Sequence, residues 1–233
     1  MSLHVRLAVD DDLEAILDIR ERIAAWLARR GIDQWQEPWP DEQGQRGRIL
    51  AGIRKRETWL LCEGALPAAT VTLVDYDAGN LWAGIEGGHE PALYVHRLMV
   101  HPGYMKHGIG AYLLWAAHVR AARRGLPCLR LDAWTTNDGL HRYYEKQKFK
   151  LKGYIPDKIL ESADLVGYPS AALFERRVDG IRGGVPEQVS RLGVRYGAEN
   201  PYTPTQDFPT DLIVDVPVAK TLAVYGNSSQ ARF

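Results

Sequence analysis

The chain has 233 residues, and its 29 basic side chains are balanced by 29 acidic ones. That length accommodates one well-buried core with an appendage or two small domains, and the neutral balance speaks against a nucleic-acid partner. Only two cysteines occur, Cys62 and Cys128, each inside an apolar run, so buried free thiols in a cytoplasmic protein are expected.

In chain order, Val5–Val9 alternates as a strand does, and Asp10-Asp11-Asp12 offers an N-cap to a helix. Leu13, Ile16, Leu17, Ile19, Ile23 and Leu27 then recur at helical spacing up to Gly31. A loop with two tryptophans, Ile32–Trp39, leads to a second helix over Asp41–Arg56. Thr58–Glu63 and Ala68–Asp75 read as a hairpin turned at Gly64–Pro67. Asp77–Pro91, broken by Gly79, Asn80, Gly84, Gly87 and Gly88, is expected to be an inserted surface loop. A strand over Leu93–Val100, a glycine-bearing loop, a helix to Arg124, a strand over Cys128–Trp134 and a helix over Leu140–Phe149 follow. Phe149–Ile155 and Ala171–Val178 fit a final strand pair. The start lacks the pattern of a signal peptide, and no window holds about 18 uninterrupted apolar residues, so neither export nor a membrane partner is expected.

The chemistry is concentrated between Tyr94 and Tyr154. A glycine loop that opens a helix directly after a strand aims free N–H groups at an anion, and the helix dipole favours it. A dinucleotide-binding unit would need Gly-x-Gly-x-x-Gly, and Gly108-Ile109-Gly110-Ala111-Tyr112-Leu113 lacks the third glycine. Val100, Pro102, Gly108 and Gly110, with Asn137 and Tyr144, Glu145, Lys146 and Phe149 further on, instead resemble the acetyl-CoA-binding core of the GNAT superfamily of N-acetyltransferases. The pattern there is Val-x-Pro-x-x-(Arg/Gln)-Gly-x-Gly-x-(Gly/Ala); Met105 and Lys106 depart from it.

The resemblance implies an α/β fold: a mixed, mostly antiparallel, strongly twisted sheet, splayed at its centre, with helices on both faces. It implies acetyl-CoA as co-substrate. Main-chain groups of Leu98, Met99 and Val100 and of the loop Met105, Lys106, His107, Gly108, Ile109, Gly110 and Ala111 would hold it. Asn137 would contact the pantetheine arm, and as a residue just before a helix it also suits an N-cap. Tyr144 falls where the family places the tyrosine beside the coenzyme sulfur, which makes it the expected general acid, while Tyr143 reads as core packing.

No carboxylate shares the face of Tyr94, His96, Leu98 and Val100. His96 therefore offers the base, or it lines the substrate cleft while water serves. Asp132 and Trp134 share a face of the next strand, where Asp132 suits a cationic amine. The resemblance implies that the loop with Asp33-Gln34-Trp35 and Trp39 forms the acceptor wall, and Tyr94 is expected to join it. The seven histidines show no metal-ligand spacing, so no metal is expected, and Ser-His-Asp hydrolysis lacks its Gly-x-Ser-x-Gly turn. The expected activity is acetyl transfer to a primary amine of a small molecule in a ternary complex. A non-catalytic acyl-CoA-binding module, or a protein or peptide amine as acceptor, is the alternative.

Residues 1–178 make up the acetyltransferase-like domain in this reading, and 179–233 a Gly/Pro-rich extension. Its apolar runs Leu212–Val216 and Thr221–Tyr225 are expected to form a hairpin or to join a sheet edge, the chain's own or that of a second subunit in a homodimer.

Overall fold

The computed structural model describes residues 2–162, 164–179, 194–196 and 212–215. The strands are β1 Ser2–Leu7, β2 Thr58–Glu63, β3 Leu66–Val74, β4 Ala92–Val100, β5 Cys128–Ala133, β6 Lys150–Tyr154, β7 Ala172–Arg177, β8 Val194–Tyr196 and β9 Leu212–Asp215. The helices are α1 Leu13–Ala28, α2 Glu42–Arg54, α3 Ile109–Arg123, α4 Asp138–Lys146 and the single turn α5 Asp157–Leu160. The strands join in one sheet in the order β6-β7-β5-β4-β3-β2-β1-β9-β8. Every pairing is antiparallel except that of β4 with β5.

The helical periodicity of α1 buries Ile16, Ile19, Ile23 and Leu27 with Ile49 and Ile53 of α2 on one face of the sheet. α3 covers the other face through Tyr112, Leu113, Ala116 and Ala117, and Tyr144 and Phe149 extend that core. Two caps follow their sequence signals: Asp41 accepts from Gly44 N–H at 2.7 Å, and Asn137 from Leu140 N–H at 3.0 Å. Asp12 is different. Asp10–Asp12 form a 3₁₀ turn of their own, and Asp12 turns back to Arg6 at 2.6 and 2.7 Å instead of capping α1. The β2–β3 turn is tighter than expected, with Leu66 and Pro67 already paired to Glu63 and Cys62.

The segment between β3 and β4 is not the surface loop its glycines indicate. Asp77 accepts from the Leu81 and Trp82 N–H groups, and Trp82 is 2% exposed. Beneath it lies Arg130 of β5, 0% exposed, whose guanidinium donates to the Gly87, Gly88 and Glu90 carbonyls and to Glu175 and stacks 4.5 Å from the Trp82 ring centroid. A buried cation is tolerable when its donors are satisfied in this way, and meeting them pins the segment to the sheet.

Beyond β7, β9 pairs with β1, Ser2 opposite Asp215, and β8 pairs with β9. The run at 212–216 thus joins this chain's own sheet edge over 212–215; residues 221–225 lie outside the described residues. Among the described residues, no helix is long and apolar enough to cross a membrane.

Candidate active site

β4 and β5 are paired only from Ala92–Tyr94 to Cys128–Arg130. Past that point they diverge, and the β5-facing edge of β4 from Val95 to Val100 has no ladder partner. A bulge accompanies the divergence: Thr70 pairs with Met99 but Thr72 with His96, so β4 carries one residue more than β3 here. Arg97 takes the strain with φ 49°.

Two cavities open in this splay. The larger, about 460 Å³, runs beneath the start of α3, where it meets Val100, Met105, Lys106, Gly108, Gly110 and Ala111. Gly108 caps α3 with φ 78°, and Lys106 stands at φ 66° where the GNAT pattern has glycine. Left-handed backbone explains that preference, since a β-carbon makes it costly. The first three N–H groups of α3 have no partners within the helix, the arrangement that suits an anion at a helix start. At Gly110 a β-carbon would stand 2.5 Å from the Tyr143 hydroxyl oxygen, so that phenol rests on the bare backbone. Tyr143 packs against the core, as expected, and also lines this cavity together with Tyr144.

The smaller cavity, about 170 Å³, lies on the other side of Trp35 and Tyr144, which line both. His96, Asp132 and Trp134 meet there with Arg48 and Tyr168. Asp132 has both oxygens engaged: Oδ1 lies 3.1 Å from His96 Nδ1, and Oδ2 accepts from the Tyr168 hydroxyl at 2.5 Å. Burial alone would raise the Asp132 carboxyl, but the hydrogen bonds from His96 and Tyr168 hold it below the ordinary carboxylate range. Each oxygen thus already has one partner, and the residue still lines the smaller cavity. Nε2 of His96 is buried with no partner among the described residues.

Tyr144 is 7% exposed, packed against Phe149 and Phe174 with ring centroids 5.8 and 5.9 Å away. Burial pushes its phenol well above the usual range, so the proton stays on the oxygen at neutral pH. Asn137 is shared: its oxygen caps α4, and its amide donates to Gln34 Oε1 at 2.6 Å, while the residue still lines the larger cavity. The Gln34 loop bridges the splay, tied by Asp33 to Trp134 and Thr136 and by Arg20 to the Trp35 and Glu37 carbonyls.

Leu98 and Met99 line both cavities, as expected of the splayed strand end. Two expected residues stand elsewhere. Tyr94 shares the His96 face, with rings 6.5 Å apart and nearly parallel, but lies deeper, covered by the Trp82 segment and bonded by Arg130 at 3.3 Å; it lines neither cavity. His107 belongs to the loop but does not line the groove. Gln34 stands in the loop expected at the acceptor wall, whereas Arg48, Arg97 and Tyr168 were not expected at the site. Only Arg97, a cation inside an apolar strand, carried a signal.

A glycine-opened helix meeting a splayed strand pair, with a protonated phenol between two cavities, is the architecture of an acyltransferase. The sequence profile of the Acetyltransferase (GNAT) family matches residues 20–149, and the chain belongs to that family. It is 30% identical over 176 residues to the uncharacterised N-acetyltransferase YesJ of Bacillus subtilis, covering 73% of this chain and 88% of that protein. Among solved structures, a GNAT-family acetyltransferase of Streptococcus agalactiae superposes with a TM-score of 0.57 at 18% identity, over 75% of this chain and 95% of that one. The PaiA N-acetyltransferase of Thermoplasma acidophilum, solved with coenzyme A, does so with a TM-score of 0.54 at 19% identity, over 76% and 99%. At these identities the structural likeness concerns the fold.

Proposed function

We propose that the protein transfers an acetyl group from acetyl-CoA to a primary amine of a small molecule, by direct attack while both are bound. Tyr144 carries this reading, because one buried phenol forms part of the wall of both cavities. A group at that boundary reaches the acceptor from one side and the coenzyme from the other. The fit of the larger groove to a coenzyme rests on the partnerless first-turn N–H groups of α3, on Lys106 beside them and on the close packing at Gly110. The coenzyme A in the PaiA structure supports the same assignment.

Bound acetyl-CoA supplies an activated thioester. In this reading an N–H on the free edge of β4 donates to the thioester carbonyl oxygen, which gains charge as the amine attacks. The carbon–nitrogen bond forms as the carbon–sulfur bond breaks. The proton leaving nitrogen passes to His96 Nε2, directly or through water, with Asp132 and Tyr168 holding the ring. The proton gained by sulfur comes from Tyr144. The small volume of the acceptor cavity and its aromatic lining favour a small molecule over a folded protein. All of these residues lie within 1–178, which leaves 179–233 as a structural appendage; the two buried free cysteines accord with a cytoplasmic setting.

Calorimetry with acetyl-CoA, followed by an amine library read out by a thiol-reactive dye, tests the reading. Heat of binding and thiol release with a primary amine are expected. No heat at millimolar coenzyme would overturn coenzyme use. Binding without release from any amine would overturn catalysis and leave a binding module.

A further inference from the structure

Arg97 sits at the β4 bulge in left-handed backbone, on the central strand of the site. Its guanidinium runs beneath α2, where a β-carbon on Gly52 would stand 3.3 Å from Nη2. Nε is buried without an acceptor, and among the described residues the side chain has no hydrogen bond or ion pair. Arg97 is part-buried, with its Nε enclosed, and unlike the fully buried Arg130 of the same sheet it meets no carboxylate or carbonyl acceptor among the described residues. The nearby acids are committed elsewhere: Asp132 to His96 and Tyr168, and Glu57 to the Tyr76 hydroxyl at 3.2 Å, while Glu37 stands exposed at the rim. Arg48 of α2 faces the same space, stacked 4.3 Å from the Trp39 centroid and likewise without a carboxylate among the described residues.

Beyond Arg97 lies a third cavity, about 210 Å³, which shares Arg48, His96, Arg97 and Tyr168 with the acceptor cavity and also meets Lys55 and Glu57, so that three cations and one carboxylate border it. An acceptor whose amine lies at Tyr144 would therefore direct its other end towards two guanidinium groups. We propose that Arg97 and Arg48 form an anion subsite, and that the physiological acceptor is an amine bearing a carboxylate or phosphate. Burial first, and the charge of Arg48 second, push the Arg97 guanidinium pKa down, as befits a cation lacking its counter-charge. A bound oxyanion would supply that charge with paired N–H donors. A polyamine, by contrast, would bring more positive charge to the same place.

This inference rests on the acetyl-transfer reading, and coenzyme calorimetry on the full chain tests that reading separately. With coenzyme binding established, matched acceptors would be compared: amino acids against their amides and decarboxylated amines, and amino-sugar phosphates against the free amino sugars. The two sets distinguish a carboxylate from a phosphate. The anionic member of the preferred pair should have a kcat/KM higher by about tenfold or more, in line with a charge-assisted hydrogen bond. Arg97→Gln should raise its KM by about 10–100-fold with a smaller effect on kcat, and Arg97→Lys should recover part of the loss. Inorganic phosphate or succinate should compete with the amine on the unaltered protein and much less on Arg97→Gln. If the glutamine variant does not fold, the matched pairs and the competition experiment on the unaltered protein decide. Preference for the neutral or polycationic member, or no competition by either anion, would overturn the subsite while leaving acetyl transfer standing.

Discussion

Gly110→Ala isolates the contact that shapes the groove proposed for the coenzyme. The new methyl would stand 2.5 Å from the Tyr143 hydroxyl oxygen, a separation that real β-carbons do not adopt, and 3.5 Å from ring carbon Cζ, which is ordinary contact. Tyr143 lines the groove and packs edge-on against Tyr144 with centroids 5.5 Å apart, so its ring cannot retreat without disturbing both. Forced overpacking of this kind costs about 1–3 kcal/mol, while replacing glycine by alanine near a helix start returns up to about 1 kcal/mol of propensity. A net loss of roughly 1–2 kcal/mol is expected, with acetyl-CoA binding weakened about tenfold as the displaced phenol narrows the groove. Tyr143→Phe removes the offending oxygen and leaves ordinary contacts of 3.5 Å to Cζ and 3.9 Å to Val100 Cγ2. In that background Gly110→Ala should be neutral or stabilising by up to about 1 kcal/mol, a coupling of roughly 1–3 kcal/mol in the double-mutant cycle. Urea melts of the four proteins and coenzyme calorimetry measure it. A single Gly110→Ala variant as stable as the unaltered chain, with undiminished affinity and no coupling to Tyr143→Phe, would refute the packing argument.

Tyr144→Phe should retain the melting temperature and coenzyme affinity while lowering turnover by about 10²–10⁴-fold, measured as thiol release at saturating acceptor; unchanged turnover would return Tyr144 to a purely structural role. His96→Ala should lower turnover by about 10²–10⁴-fold while coenzyme affinity is kept, and unchanged turnover would leave the proton to water or to the amine itself. Asp12→Asn should cost about 1–2 kcal/mol at pH 7, since the Arg6 hydrogen bonds, working against burial, hold the Asp12 carboxyl below its ordinary value. A depressed folded-state pKa gives stabilisation that is complete above the unfolded value, about 3.9, and is lost as pH falls through the lower folded one. The difference in melting temperature between variant and unaltered chain should therefore close below about pH 4 in scanning calorimetry; a constant difference down to pH 2 would exclude this origin.

What the sequence determined by itself was local. Alternation marked β1, apolar runs marked β2 to β5, helical spacing marked α1, and Val100, Pro102, Gly108 and Gly110 marked a strand, a loop and a helix start that place free N–H groups together. Such signals survive in one dimension because they depend on residues a few positions apart. The acceptor side depended on contacts that no spacing encodes. Asn137 meets Gln34, and Trp134 meets Asp33, across more than a hundred residues of chain, and Tyr168 reaches Asp132 from beyond β6. Glycine content made the Trp82 segment look like a surface loop, because the guanidinium that anchors it lies on β5. Strict alternation put Tyr94 at the acceptor wall, and the depth of that position was decided by the segment folded over it. The bulge at Arg97 is the clearest case: one extra residue in β4 is defined only by its pairing with β3, and there a cation of an apolar strand lines the smaller cavity. The tertiary structure decided these features because each is a property of two chain segments at once, and the free energy that holds one in place is supplied by the other.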